Sequence, residues 1–109
     1  MLPAVVLIRR QLALGVREAL SNALRHSQAS EVVVSLAMSA DILIVSVRDN
    51  GVGFVVGLSD SAVGHGLHNL RLRLERIGGK CRVDSSPGGG TRVEFRVPLS
   101  RQRRTGGGL

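Results

Sequence analysis

Two pairs of alternating segments, each joined by a short turn and set apart by a helical pattern, constrain this chain most. Glu31 to Ser39 alternates with Val32, Val34, Leu36 and Met38 on one face. Ser39-Ala40-Asp41 makes a tight connection to Ile42–Arg48, where Leu43, Val45 and Val47 share a side. Strands joined so closely pair as an antiparallel hairpin. Lys80 to Ser86 and Thr91 to Leu99 repeat the arrangement around Pro87-Gly88-Gly89-Gly90, with Val93, Phe95 and Val97 as a core face. Between the pairs, Leu67, Leu70, Leu74 and Ile77 form the stripe of a helix from Leu67 to Ile77, closed by Gly78-Gly79. The order helix, strand, strand, loop, helix, strand, strand predicts an α+β fold. Its helices layer on one face of a largely antiparallel sheet.

The leading helix is expected from about Gln11 to Ser27, with Leu12, Val16, Ala19, Leu20 and Ala23 as its apolar stripe. Glu18, Asn22, Arg25 and His26 project along an adjoining edge. Asn is a poor interior helix residue because its amide competes for backbone hydrogen bonds, so Asn22 asks for a reason. A mixed polar helix face is the plain alternative. Residues 3–8 read equally as a strand or as the lead-in to this helix.

Composition narrows the partners. A chain of 109 residues makes one domain, here residues 1–99, followed by a flexible basic and Gly-rich tail at 100–109. Phe54 and Phe95 are the only aromatics, so the core is aliphatic and the stacking platforms used to grip single-stranded nucleic acid are missing. The formal charge of +7 is scattered along the chain, with its densest cluster at Arg101, Arg103 and Arg104. Such a surface suits an anionic small ligand or an acidic protein as well as it suits nucleic acid. The single Cys81 excludes an internal disulfide and fits a reducing compartment. The run Leu2–Ile8 is too short to span a bilayer and is not built as a signal peptide. A cytoplasmic domain without direct membrane contact is expected.

Asp49-Asn50-Gly51-Val52-Gly53-Phe54 ends the second strand. It is a turn signal, yet the second glycine also suits a backbone approached closely by a ligand, with the Asp49 carboxylate accepting from an amino group. Residues 55–63 read as a mobile loop. Gly64-His65-Gly66 then leads into the second helix, where free N–H groups make an anion site or the glycines make a hinge. Asn69 stands where a dinucleotide fingerprint would need glycine.

In order and spacing, Glu18-x-x-x-Asn22, Asp49-x-Gly51-x-Gly53, Gly64-x-Gly66-Leu67 and Gly88-Gly89-Gly90-Thr91 resemble the N, G1 and G2 boxes and the final Gly-Thr of the GHKL ATPases. Arg17 through Ala29 and Gly64 through Gly79 look like the corresponding segments of NarL/DesK-type sensor histidine kinases. There is also a similarity to the mycobacterial haem-based oxygen-sensing kinases. The resemblance covers residues 12–99. It implies the Bergerat two-layer α/β sandwich, with a mixed, mostly antiparallel sheet.

The resemblance further implies ATP and Mg²⁺ as cofactors. Asp49 would accept from the adenine amine with Thr91 near the same base, and Gly51 and Gly53 would let the backbone pass the purine. Asn22 would hold Mg²⁺, and Glu18 would polarise the attacking group or a metal-bound water, making the pair both catalytic and metal-binding. Arg25 and His26 would reach ribose or phosphates. Gly64, His65, Gly66 and Leu67 would face the phosphates, with residues 54–63 as a short lid. His65, His68 and Asn69 read equally as surface or packing. No separate F box stands between Gly53 and Gly64, which suits the short-lid branch.

The implied function is γ-phosphoryl donation to a His on a separate dimerisation and phosphoacceptor domain, then relay to a response regulator. No helical-hairpin acceptor is recognisable in the sequence, so this chain alone is not expected to autophosphorylate. The alternatives are an anti-sigma-factor-type serine kinase of the same fold and a nucleotide-sensing docking module without turnover. Nucleic-acid binding ranks behind both.

Overall fold

Helix α1, Ala4–His26, opens the fold. A computed structural model of the chain describes residues 4–26, 28–55 and 62–99, apart from the side chains at 4, 5, 26, 62–65 and 67. The stretch from Ala4 to Ile8 is therefore helical and not a strand. Ile8 is buried, and it continues at helical spacing into Leu12, Gly15, Ala19 and Ala23. One continuous buried stripe outweighs the strand preference of a short β-branched run.

Strands β1 (Val32–Ser39) and β2 (Ile42–Asp49) form the first hairpin. Ala40 and Asp41 both take positive φ, 50° and 64°, which makes their two-residue link the hairpin turn whose twist matches the strands. Helix α2, Ala62–Glu75, begins five residues before the expected Leu67 start. Gly64-His65-Gly66 thus lies inside its first turns, not in a loop ahead of it. Glycine disfavours helix by about 1 kcal/mol, but the close approach described below for Gly66 overrides that preference. At the other end Gly78 takes φ 74°, Gly79 N–H reaches the Leu74 carbonyl at 2.8 Å and Gly78 N–H that of Glu75 at 3.1 Å, closing the helix as its Gly-Gly pair predicts. Strands β3 (Lys80–Ser85) and β4 (Thr91–Pro98) complete the sheet. Within the expected lid, residues 62 and 63 are helical and residues 56–61 lie outside the described residues, as does the tail at 100–109.

The four strands run β1-β2-β4-β3, antiparallel at every pairing. Both helices pack on one face of this sheet, giving the expected two-layer α+β fold. Phe95, Leu70, Leu74 and Val97 are fully buried between the layers, each such side chain contributing about 1.5–3 kcal/mol through burial. Cys81 faces this interior, where burial pushes its thiol up to about 11 against the opposing pull of Arg71, so it stays neutral near pH 7. Helix α1 does not seal β1: a groove of about 810 Å³ runs between them, lined by Leu12, Val16, Leu20, Leu24, Val34 and Leu36 among others.

The register sets Arg48, Arg92 and Asp84 in one row across the strands, and Arg96 beside Lys80 in another. Between these rows Glu94 pairs with Ser46 and Arg82. Glu94 is 7% exposed, and its carboxylate accepts from Arg96 Nε at 2.6 Å and Arg92 Nη2 at 3.1 Å. The Arg96 hydrogen bond holds its carboxyl below the usual carboxylate range, helped by the charges of Arg96, Arg92 and Arg82 and opposed by burial.

Candidate functional site

Two clusters carry the polar residues singled out above. The first forms where α1 meets the start of α2. Glu18 and Asn22 are one turn apart on α1 and half-buried. Gly66, buried in α2, lies directly over them. A Cβ at Gly66 would sit 3.1 Å from Asn22 Nδ2, 3.3 Å from Asn22 Oδ1 and 3.3 Å from Glu18 Oε1. A side chain there would crowd both polar groups, so glycine is what lets the helix backbone approach the pair. Asn22 Nδ2 is buried and has no hydrogen-bond partner among the described residues. A buried amide left without a partner costs about 1–3 kcal/mol, a penalty that a bound anion accepting from its N–H groups would relieve.

The second cluster lies at the end of the sheet where the register places Asp49, Thr91 and Ser85 side by side on β2, β4 and β3. Asp49 is 9% exposed, and its Oδ1 accepts from the Gly51 N–H at 2.9 Å, which turns the chain sharply out of β2. Asn50 anchors the other side. Its Oδ1 accepts from the N–H groups of Ser30 and Glu31, both at 3.0 Å, and its Nδ2 donates to Ser30 Oγ at 2.9 Å. The loop then crosses to the second hairpin, where Gly88 N–H reaches the Val52 carbonyl at 2.6 Å and Phe54 N–H reaches Ser85 Oγ at 3.0 Å. Gly53 takes φ 67°, and a Cβ on it would collide with the Ser86 carbonyl. Glycine is required there for conformation and for space together.

A cleft of about 570 Å³ opens at this end of the sheet. Its lining includes Asp49, Ser85, Gly90 and Thr91, with Arg48 and Arg92 from the opposite sheet face, and among the described residues no side chain of α1 or α2. It borders the second cluster and not the Glu18–Asn22 pair.

Other expected site residues are placed differently. Arg25 is exposed and lines the apolar groove against β1. His26 ends α1, and Gly64, His65 and Leu67 fall in the first turns of α2, where the side chains are outside the described residues. His68 and Asn69 are exposed on α2. Among the described residues, no three His, Cys, Asp or Glu side chains come together as a metal cage. No described helix is long and apolar enough to cross a membrane.

Ser85 is the residue that sequence reasoning passed over. It links Phe54, Gly90 and Thr91, and its signal was the alternation of β3, which sets it on the interior face with Cys81 and Val83 at the strand end.

Residues 8–101 match the family model described as histidine kinase-, DNA gyrase B- and HSP90-like ATPase. The sensor protein VraS of Staphylococcus epidermidis is 38% identical over 91 residues, covering 84% of this chain and 26% of VraS. VraS of Staphylococcus aureus (strain COL) is 41% identical over 88 residues, covering 79% of this chain and 24% of VraS. The chain therefore spans about a quarter of the length of these curated relatives. Among solved structures, the histidine kinase domain of the blue-light activated histidine kinase EL346 of Erythrobacter litoralis superposes with a TM-score of 0.72 at 26% identity. That match covers 89% of this chain and 47% of the other. The ATP binding domain of PrrB from Mycobacterium tuberculosis superposes with a TM-score of 0.69 at 29% identity, covering 83% of this chain and 68% of that domain.

Proposed function

The chain belongs to the histidine kinase-, DNA gyrase B- and HSP90-like ATPase family, and on that footing we propose that it is the ATP-binding catalytic domain of a two-component sensor histidine kinase. The observation that carries this reading is similarity to sensor proteins running across 84% of the chain at 38% identity. The two clusters supply chemistry that fits it. Asp49, with Oδ1 engaged by Gly51, would accept from the adenine amine through its other oxygen, with Thr91 beside it. The start of α2, brought over Glu18 and Asn22 at Gly66, would face the phosphates.

Mg²⁺ fits the first cluster. Glu18 Oε1 and Asn22 Oδ1 are hard oxygen donors, both 3.3 Å from the point that a Gly66 Cβ would occupy. Two protein oxygens with no cluster of three acidic, His or Cys groups among the described residues match an ion that keeps water and takes phosphate oxygens as its other ligands. When bound, Mg²⁺ would neutralise phosphate charge. The Asn22 amide can serve both neighbours: Nδ2 would donate to a phosphate oxygen while Oδ1 faces the cation, and a half-turn about the Cβ–Cγ bond would exchange the two atoms. Glu18, one turn away, would orient the attacking group. The domain thus contributes positioning and charge stabilisation, and the acceptor His comes from a separate dimerisation and phosphoacceptor domain. A response regulator would be the next acceptor, and the domain would work in the cytoplasm, where ATP is available.

The test is calorimetric titration of Mg²⁺-ATP into the folded domain and into Asp49→Ala. Saturable binding by the first, weakened about tenfold or more in the second, is expected for loss of a charged hydrogen-bond acceptor. Folded wild type that binds no nucleotide would overturn the reading. Incubation with a supplied His acceptor domain should then yield an acid-labile phosphoprotein; an acid-stable product would indicate a serine kinase instead.

A further inference from the structure

We propose that Ser85 is a specificity-determining residue: it holds Thr91 as a hydrogen-bond acceptor toward the cleft, so that the site selects a 6-aminopurine over a 6-oxopurine. The inference rests on the nucleotide reading above and adds a device to it.

Ser85 Oγ makes three close polar contacts: it accepts from Phe54 N–H at 3.0 Å, donates to the Gly90 carbonyl at 2.9 Å, and lies 2.8 Å from Thr91 Oγ1. A serine hydroxyl has one hydrogen and two lone pairs. Its hydrogen is directed at Gly90, so the 2.8 Å contact is a hydrogen bond only if Thr91 is the donor. Ser85 is then saturated, with two bonds accepted and one donated. The single hydrogen of Thr91 points along the strand row at Ser85, and only lone pairs of Thr91 remain for anything in the cleft. The opposite polarity would leave the Gly90 carbonyl without this donor.

Asp49 stands on the other side of Thr91 in the same row, and its carboxylate only accepts. Two adjacent acceptors with no hydroxyl donor between them match an edge rich in N–H. An exocyclic amine has two such hydrogens. A 6-oxopurine turns a carbonyl oxygen toward the same groups and sets acceptor against acceptor, and a site built around one polarity rejects the other strongly. Ser85 touches no part of the base in this account. It acts through Thr91.

ATP and ITP, which differ at position 6 and the protonation of N1, provide the test. Mg²⁺ complexes of both are titrated into wild type, Ser85→Ala and Ser85→Thr. Wild type is expected to prefer ATP by at least about tenfold. Ser85→Ala frees the Thr91 hydroxyl to donate into the cleft, so the ATP/ITP ratio should narrow by roughly fivefold or more, while Ser85→Thr, which keeps the oxygen, retains it. Equal weakening of both nucleotides in Ser85→Ala would mean that the serine only braces the loop, and would overturn the proposal. If Ser85→Ala does not fold, Thr91→Val takes its place: selective loss of ATP affinity supports the acceptor role, and parallel loss of ATP and ITP refutes it. Wild type that binds neither nucleotide would sink the nucleotide-site reading itself. Wild type whose discrimination Ser85→Ala leaves intact would sink this inference alone.

Discussion

Gly53 and Gly88 both sit at positive φ, 67° and 78°, but their surroundings differ. A Cβ at Gly53 would meet the Ser86 carbonyl, whereas no described residue lies within 4 Å of the corresponding point at Gly88. Gly88→Ala is therefore expected to cost only the left-handed conformational penalty, about 1 kcal/mol. Gly53→Ala adds a backbone collision and should cost about 3 kcal/mol or more. Urea titrations of the two variants check the difference, and equal losses would show that the loop can move away. The glycines were legible in sequence as a turn or a ligand approach. That Gly53 is pinned by the second hairpin was not, because Ser86 is distant in sequence and meets it only through the β2-β4-β3 order.

At the scale of elements, the first hairpin shows a local rule broken. Its tight turn needs left-handed backbone at both central residues, and Ala40 occupies one of them at φ 50°. Asn tolerates that region far better than Ala, so Ala40→Asn should stabilise the domain by about 0.5–1 kcal/mol, read as a raised Tm. An unchanged or lowered Tm would mean that strand pairing carries the strain without cost. The helices divide differently. The α1 stripe from Leu12 to Ala23 and the Gly-Gly stop of α2 follow from periodicity and cap chemistry alone. The early start of α2 does not: two glycines in three residues read as a loop until Gly66 is seen to pack over Glu18 and Asn22.

On the whole molecule, the layered fold leaves one sheet face open, and strand order gathers Arg48, Arg82, Arg92, Arg96 and Lys80 there around Glu94 and Asp84. Scattered in sequence, these charges become one basic face. Because Glu94 is held below its ordinary value near 4.5, chiefly by the Arg96 hydrogen bond, its contribution to stability is complete above that ordinary value. It is lost as pH falls through the depressed one. Glu94→Gln should therefore destabilise the fold by on the order of 1 kcal/mol near pH 7 and flatten the acid limb of the stability profile. Denaturation midpoints between about pH 2 and 7 test this. An acid limb identical to wild type would assign the pH dependence to other carboxyls.

Features set by near neighbours are legible in the residues alone: strand alternation, the helix stripes, the turn glycines, and the ordered motifs around Asn22, Asp49, Gly66 and Thr91. Periodicity and backbone chemistry act over a few residues, and those signals survive without a fold. Which residues share a site follows from long-range packing. That packing set Gly66 over Glu18 and Asn22 and left an amide nitrogen there without a partner among the described residues. It turned Arg25 toward a groove and joined Ser85 to Phe54, Gly90 and Thr91. Those facts depend on register and on layer packing between distant segments, where a shift of one residue would turn Ser85 and Thr91 to the opposite face.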